Sequence, residues 1–231
     1  MTDPLAGSPW SSPDTVAGFA ASPPNETLMR YAAGELARMP GGRAIDIGCG
    51  AGRNAVPLAE LGWQVLGTDW SAPMIEAARA RAAGEEVAGR LRLALAPMDD
   101  LPAGDAEFDL VIAHGIWNLA QSSAEFRRGV AEAARVAKPG AGLFVFTFSR
   151  HTLPADVEPV AGESFIFTEF SGRPQVFLTE DQLLSELAGA GFTPDPHVPL
   201  TEHNRPPAGA LYASRAPVIY EAAFRKASVR S

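Results

Sequence analysis

The sequence contains one cysteine, Cys49, among 231 residues, and fewer basic than acidic side chains. A single cysteine excludes an intramolecular disulfide framework and a zinc site built on cysteines. The 19 lysines and arginines stand against 27 aspartates and glutamates, which gives a formal net charge of −8. This balance argues against a protein that holds nucleic acid through its overall field, because phosphate contacts need a surface rich in Lys and Arg.

Long hydrophobic runs are also missing. No uninterrupted apolar stretch approaches the ~20 residues of a membrane span, and the start, MTDPLAGSPW, lacks the basic and apolar segments of a signal peptide. No H-E-x-x-H spacing indicates a metal site. Because 46% of the residues are hydrophobic, we expect a globular protein with a sizeable core. Together with the absences above, this predicts a cytoplasmic monomer or homodimer without a metal, membrane or nucleic-acid partner.

Residues 1–40 differ in composition from the rest of the chain. The first part is rich in Pro, Ser, Ala and Gly, which predicts an arm without its own core. Trp10 and Phe19 are unusual in a solvated tail, so this arm is expected to fold over a site as a lid. A helix follows, with Asn25 as its N-cap. We therefore divide the chain into an arm with a lid helix, residues 1–40, and a main domain, residues 41–231.

The main domain begins with short apolar runs that alternate with alanine-rich stretches. The predicted strands are Arg43–Ile47, Gln64–Thr68, Leu91–Ala96, Phe108–Ala113 and Gly142–Phe148. The predicted helices between them are Asn54–Leu61, Ala72–Ala83 and Ala124–Ala137. Such alternation indicates right-handed crossovers and a mainly parallel sheet with helices on both faces, where ligands bind outside the carboxyl ends of the strands.

The alternation ends after the fifth strand. Ser164–Phe170 and Gln175–Leu178 predict a hairpin inside an insertion over about 151–178. Phe192–Leu200 and Val218–Phe224 are expected to complete the sheet as an antiparallel pair. The predicted fold is therefore α/β, a doubly wound and mainly parallel sheet of seven strands.

The strongest motif is Asp46-Ile47-Gly48-Cys49-Gly50-Ala51-Gly52, an apolar strand that runs into three alternating glycines. Glycine permits positive φ and lets a ligand approach the backbone closely. Residue 53 is Arg, so the G-x-G-x-x-G spacing of a dinucleotide site fails, which counts against a nicotinamide cofactor. Asp69 closes the second strand, where a carboxylate can accept both hydroxyls of a ribose. As a helix cap, Ser71 is better placed than Asp69.

These motifs resemble those of the class I S-adenosylmethionine-dependent methyltransferases over approximately Arg43 to Phe148. D-x-G-x-G-x-G is that family's cofactor loop, while Phe108-Asp109-Leu110-Val111 and Lys138-Pro139-Gly140 are similar to its fourth strand and the turn into its fifth. The resemblance implies a Rossmann-like fold and S-adenosyl-L-methionine as cofactor, with S-adenosyl-L-homocysteine as product. The Gly-Arg53-Asn54 continuation looks like small-molecule methyltransferases of the tellurite-resistance type.

The resemblance also implies where the cofactor lies. The methionine moiety would contact Gly48 and Gly50, and the adenine would lie near Trp70 and Met98. Many relatives have an Asp where this chain has Pro97, so either Asp99 reaches the adenine amino group or the backbone of Met98 reads it alone. The implied cofactor-binding residues are Asp46, Gly48, Gly50, Gly52, Asn54, Asp69, Trp70, Met98, Asp99 and His114.

His114 is the first candidate for a catalytic residue, because it directly follows the predicted fourth strand. It would serve as general base if the acceptor must lose a proton, although a structural histidine bonded to a backbone carbonyl fits the sequence equally well. Tyr31 and Trp117 are expected to line the substrate pocket. We predict in-line methyl transfer to a small molecule; the alternative is a non-catalytic protein or subunit that binds S-adenosylmethionine.

Overall fold

The computed structural model describes residues 2–83, 87, 89–205 and 216–228. Within these residues the helices are α1 (Pro13–Ala21), α2 (Glu26–Arg38), α3 (Ala55–Leu61), α4 (Ala72–Arg81), α5 (Ser123–Val136) and α6 (Glu180–Gly189). The strands are β1 (Arg43–Ile47), β2 (Gln64–Asp69), β3 (Leu91–Leu95), β4 (Phe108–His114), β5 (Ala137–Phe148), β6 (Ile166–Phe167), β7 (Gln175–Val176), β8 (Phe192–Pro194), β9 (Thr201–His203) and β10 (Ile219–Lys226). Turns of 3-10 helix occupy Pro9–Ser11, Trp117–Leu119 and Arg150–Thr152.

The central sheet confirms the predicted α/β fold. Its parallel part has the order β3-β2-β1-β4-β5, and β10 continues it antiparallel to β5. β6 and β7 form a separate short hairpin inside the insertion. As expected for a doubly wound sheet, successive β4 residues, Val111 and Ile112, belong to different core clusters on opposite faces.

The edge of the sheet differs from the prediction of a single strand over Phe192–Leu200. β8 and β9 are two short strands that pair with opposite ends of β10, so eight strands occupy seven positions across the sheet. The segment contains Pro194, Pro196 and Pro199, and proline has no N–H to donate to a ladder. The chain therefore leaves the sheet between β8 and β9.

Side chains from three strands form a row near the carboxyl edge. His114 of β4 is in register with Phe146 of β5, and Phe146 is in register with Glu221 of β10. Paired residues on neighbouring strands point to the same face of a sheet, so this row lies on one face. Among the described residues, no helix is both long and apolar enough to cross a membrane.

Candidate functional site

The glycine loop joins β1 to α3 at the carboxyl edge of the sheet. Gly48, Gly50 and Gly52 have φ values of +69°, +53° and +74°, which L side chains rarely adopt. A Cβ on Gly48 would lie 2.7 Å from the Ile116 side chain, and one on Gly52 would lie 3.1 Å from Cβ of Ala78. Gly48 thus lets the loop after β4 approach, while Gly52 lets α4 pack against the glycine loop.

The Asp69 carboxylate fastens this loop to the end of β2. Its Oδ2 accepts the N–H of Gly50 at 2.9 Å, and its Oδ1 accepts the N–H of Ser71 at 2.8 Å. Burial raises the pKa of Asp69, although these backbone donors oppose the shift. The cap of α4 is Ser71, whose Oγ accepts the N–H of Met74, as the sequence predicts. Binding of a ribose by Asp69 stays a prediction.

Asp46 and Arg53 lie beside the glycine loop with buried atoms that lack partners. Neither Asp46 Oδ2 nor Arg53 Nε has a hydrogen-bond partner in the described part of the chain. Burial raises the pKa of Asp46 to about 7, with Arg53 opposing the shift and Asp69 adding to it. A buried carboxylate and a guanidinium with unused capacity fit an amino acid that carries both an ammonium and a carboxylate. The sequence analysis did not single out Arg53 as a candidate for binding, although its place directly after the third glycine was the available signal.

His114 lies at the end of β4 with its ring stacked on Phe146, the centroids 4.2 Å apart at 13°. Its Nε2 lies 3.2 Å from Nδ2 of Asn25. Burial lowers the pKa of His114 to about 3, with a contribution from the positive charge of Arg53. His114 is therefore neutral at physiological pH. Its role as general base stays a prediction, which is taken up below.

Asn25 and Asn54 connect the start of α2 to the glycine loop. Asn25 is the N-cap of α2, as predicted, since its Oδ1 accepts the N–H of Leu28 at 2.9 Å. Asn54 occupies the N-cap position of α3 but makes no side-chain cap. Its Oδ1 instead accepts the backbone N–H of Asn25 at 3.0 Å. Asn54 thus anchors α2 beside the loop, and its contact with a cofactor stays a prediction.

Trp117, which is predicted to line the substrate pocket, lies in the core. Its indole is fully buried and packs edge to face with Phe126 of α5, and its substrate contact stays a prediction. The sequence placed it after β4, but the 3-10 turn there directs the ring into the core. Glycine at position 129 lies beside it, since a Cβ there would be 3.5 Å from the indole.

Tyr31 is also buried, in a polar cluster under α2. Its hydroxyl donates to Asp195 at 3.0 Å and accepts from Arg225 at 3.2 Å. Burial, with Glu35 nearby, raises its pKa. Tyr31 borders a cavity of about 540 Å³ between α2 and the segment 197–203, which Glu221 also lines. The structure gives Tyr31 a role in fixing α2, and a substrate contact stays a prediction.

Two of the three residues predicted near the adenine already have contacts within the protein. Trp70 is 46% exposed and follows β2 directly. Met98 is buried against Gly129 of α5. The Asp99 carboxylate accepts the Nε–H of Arg128 at 2.9 Å, so any bond to an adenine amino group would share it with this partner. Adenine contacts of all three residues stay predictions.

The N-terminal arm lies over the glycine loop and α4. Phe19 packs edge to face with Trp10, and its ring lies 3.4 Å from the place of a Cβ on Gly50. Ser11 Oγ is 2.9 Å from Ser71 Oγ, and Asp3 Oδ1 accepts the N–H of Ala72 at 3.1 Å. This position is consistent with a lid, a function that stays a prediction.

Comparison with known proteins agrees with the fold and the glycine loop. A family model described as "Methyltransferase domain" matches residues 44–140. A ubiquinone/menaquinone biosynthesis C-methyltransferase of Geotalea daltonii is 31% identical over 192 residues, which cover 74% of this chain and 79% of the relative.

Two solved structures share the fold. The 1,6-didemethyltoxoflavin-N1-methyltransferase of Burkholderia thailandensis, solved with 1,6-didemethyltoxoflavin and S-adenosylhomocysteine, has a TM-score of 0.61 and 24% identity, over 88% of this chain and 80% of the other. A [4+2]-cyclase, SpnF, has a TM-score of 0.67 and 21% identity, over 94% of this chain and 92% of the other.

Proposed function

This chain belongs to the class I S-adenosylmethionine-dependent methyltransferases. We propose that it transfers the methyl group of S-adenosylmethionine to a small planar aromatic acceptor. The cofactor follows from family membership, whereas the acceptor is the new step. The observation that carries the step is a surface that we call the aromatic strip, made of His114, Phe146, Phe148 and Phe170.

The aromatic strip lies at the carboxyl edge, on the face that His114 shares with Phe146. Phe146 and Phe148 are two positions apart on β5, so their side chains point to the same face of the sheet. Both are only partly buried, and Phe170, 5.4 Å from Phe148 between ring centroids, is 40% exposed. Phe148 also stacks on Phe177, and the parts of these rings that stay exposed suit a planar ring, which packs on them in offset or edge-to-face geometry. The Geotalea relative is named as a C-methyltransferase of ubiquinone/menaquinone biosynthesis, and a quinone precursor is also a planar ring.

The residues beside the glycine loop fit the cofactor. We assign its ammonium to Asp46, its carboxylate to Arg53 and its ribose hydroxyls to Asp69. We expect its methionine chain to lie against the backbone of Gly48 and Gly50, and its adenine to lie near Trp70. When bound, S-adenosylmethionine supplies a methyl group on a sulfonium, which is already activated for displacement.

The protein then has to orient the acceptor and exclude water. Orientation alone can lower a bimolecular barrier by as much as roughly 7–11 kcal/mol. The aromatic strip fixes the plane of the acceptor, and the arm, through Phe19 and Trp10, covers the loop from the solvent side. Neither task needs a charged catalytic side chain.

The first experiment is calorimetric titration with S-adenosylmethionine and with S-adenosylhomocysteine. We expect saturable one-to-one binding of both. Gly50→Val should weaken binding by a factor of about 100 or more, because a β-branched side chain is strained at φ +53° and would press against Phe19 beside the loop. Asp69→Ala should weaken it by about tenfold, as for loss of a hydrogen bond to a charged group. Asp105→Asn, exposed on the surface, is the matched control and should bind normally. No binding to the wild-type protein would refute the proposal.

The acceptor is tested by S-adenosylhomocysteine formation with hydroquinones and phenols, for example 1,4-dihydroxynaphthalene and catechol. Phe146→Ala should raise the KM for any accepted ring while the cofactor Kd stays within about twofold. Cofactor binding without turnover on any member of a broad panel would favour the alternative, a protein that uses the site without methyl transfer. That alternative has one specific support, since the cyclase shares this fold.

A further inference from the structure

Asn25 is the residue through which the arm enters α2, and its polar groups reach four different parts of the molecule. Its backbone N–H donates to Asn54, and its Oδ1 accepts the N–H of Leu28. Its Nδ2 donates to Glu221 Oε2 at 2.7 Å and lies 3.2 Å from His114 Nε2. The backbone and side chain of this one residue therefore join the glycine-loop side of the site to β4 and β10.

The orientation of this amide follows from its neighbours. Of the two ends of the Asn25 amide, only Oδ1 can accept the N–H of Leu28, and only the NH₂ group can donate to the Glu221 carboxylate. With Oδ1 so placed, the second hydrogen of Nδ2 points to His114 Nε2. That nitrogen must then offer its lone pair, and the imidazole proton resides on Nδ1.

Because these groups are shielded from water, each of them needs a hydrogen-bond partner within the protein. Glu221 is 7% exposed, and His114 stacks on Phe146, the residue between it and Glu221 in the row across the sheet. The amide of Asn25 spans this row and contacts both groups, while Nε2 of His203 lies 3.5 Å from the other oxygen of Glu221, Oε1. Without it, a carboxylate oxygen and an imidazole nitrogen would each lose a partner away from water, which is costly.

We propose that Asn25 is a positioning residue, which holds His114 as the neutral Nδ1–H tautomer with its Nε2 lone pair engaged. His114 is then an uncharged wall of the aromatic strip and not the general base that the sequence suggested. The lowered pKa of His114 agrees with this role. The consequence for the acceptor rests on the proposed function: its reacting atom must be nucleophilic without help from His114, as in a readily ionised phenol or hydroquinone.

The tautomer can be measured without any acceptor. Full-length protein with ¹⁵N-labelled histidine is studied by long-range ¹H–¹⁵N correlation between pH 5 and 8, and His114→Gln assigns the signal among the four histidines. We expect an unprotonated, hydrogen-bonded Nε2, a protonated Nδ1 and no titration in this range. Protonated Nε2, or an imidazolium at pH 7, in the wild-type protein would overturn the proposal.

Asn25→Ser tests the residue itself. Serine keeps a cap oxygen for α2 and the backbone N–H to Asn54, but it removes both side-chain N–H donors without adding charge. We expect the Nε2 signal of His114 to move towards the protonated range as the other tautomer becomes populated. Ser122→Ala, which removes the cap of α5, is the control and should leave that signal in place. A spectrum of Asn25→Ser identical to wild type contradicts the role.

Calorimetry on the same samples separates this inference from the proposed function. We expect the Kd for S-adenosylmethionine to change by no more than about twofold in Asn25→Ser, because the bond to Asn54 remains. If the wild-type protein binds no cofactor, the proposed function fails while the tautomer measurement still decides the role of Asn25.

Discussion

At the scale of single residues, the site combines buried groups whose charge depends on their surroundings. Asp46 sits at the end of β1, where burial raises its pKa to about 7. A carboxyl with a raised pKa binds its proton more tightly in the folded state, so between its unfolded pKa and about pH 7 it makes stability fall as pH rises. A cationic ligand beside Asp46 reverses that preference, because it favours the ionised form.

This reversal predicts how cofactor affinity depends on pH. If Asp46 receives the ammonium of S-adenosylmethionine, binding releases a proton below pH 7. The Kd should then tighten by about tenfold per pH unit up to about pH 7 and level off above it. Calorimetry in buffers of different ionisation enthalpy measures both Kd and proton release. Asp46→Asn should bind more weakly with a flat profile, and a wild-type Kd independent of pH would separate Asp46 from the cofactor.

The sequence pattern supplied most of the candidate site residues, but not the hydrogen bonds between residues that are distant in the chain. The glycines and Asp46 were recognisable because they lie along one strand and loop, and Asp69 was recognisable because it ends the next strand. Asn25 meets His114 and Glu221 only in the folded chain, so no pattern in one sequence reveals these contacts. The burial of Trp117 in the core could not be predicted, because an aromatic residue after a strand is equally suited to the core and to a pocket wall.

At the scale of elements, β1 is bounded as predicted, while β5 begins earlier, at Ala137. The reason is Asp109 of β4, whose carboxylate accepts two bonds from Lys138 Nζ at 2.8 Å and the N–H of Arg43 at 2.9 Å. These bonds hold the turn into β5 beside β1 and β4. Two motifs that suggested a family by resemblance thus serve to join three strands.

Asp109→Ala should therefore destabilise the fold without a direct effect on the site. We expect the free energy of unfolding to fall by about 1–3 kcal/mol, since the variant removes a mostly buried carboxylate and leaves Lys138 and a backbone N–H without it. Asp105→Ala is the matched control, because its ion pair with Arg135 is exposed and such pairs contribute about 0–1 kcal/mol. Urea denaturation of both variants decides; equal losses would contradict the role of Asp109.

At the scale of the whole molecule, the arm and the main domain meet over the glycine loop. Arg81 of α4 fixes the end of α1 there, since its Nη2 donates to the carbonyls of Ala20 and Ser22 at 2.8 and 2.7 Å. The composition predicted an arm without a core, and indeed no residue of α1 is buried. Its place on the molecule could not be predicted, because it depends on these contacts with distant residues.

Arg81→Ala should loosen this arm. If the arm closes over bound S-adenosylmethionine, we expect the cofactor to dissociate about 5–10-fold faster, as for the loss of one to two hydrogen bonds from a charged donor. Arg79→Ala on the same helix, whose partner is the exposed Glu76, is the matched control. Stopped-flow dissociation and limited proteolysis near Pro23-Pro24 report on release and on the arm. Unchanged release in Arg81→Ala, with faster cleavage of the arm, would mean that the arm does not retain the cofactor.

The sheet position beyond β10, which β8 and β9 share, affects how the molecule behaves at high protein concentration. An outer strand normally offers a row of unpaired backbone donors and acceptors, a template on which another chain can add. Here β8 and β9 contribute three residues each to that outer position, and prolines at 194, 196 and 199 leave gaps in the donor row. A neighbouring chain would find too short a register to extend the sheet, so this side of the molecule resists strand addition and the aggregation that follows from it.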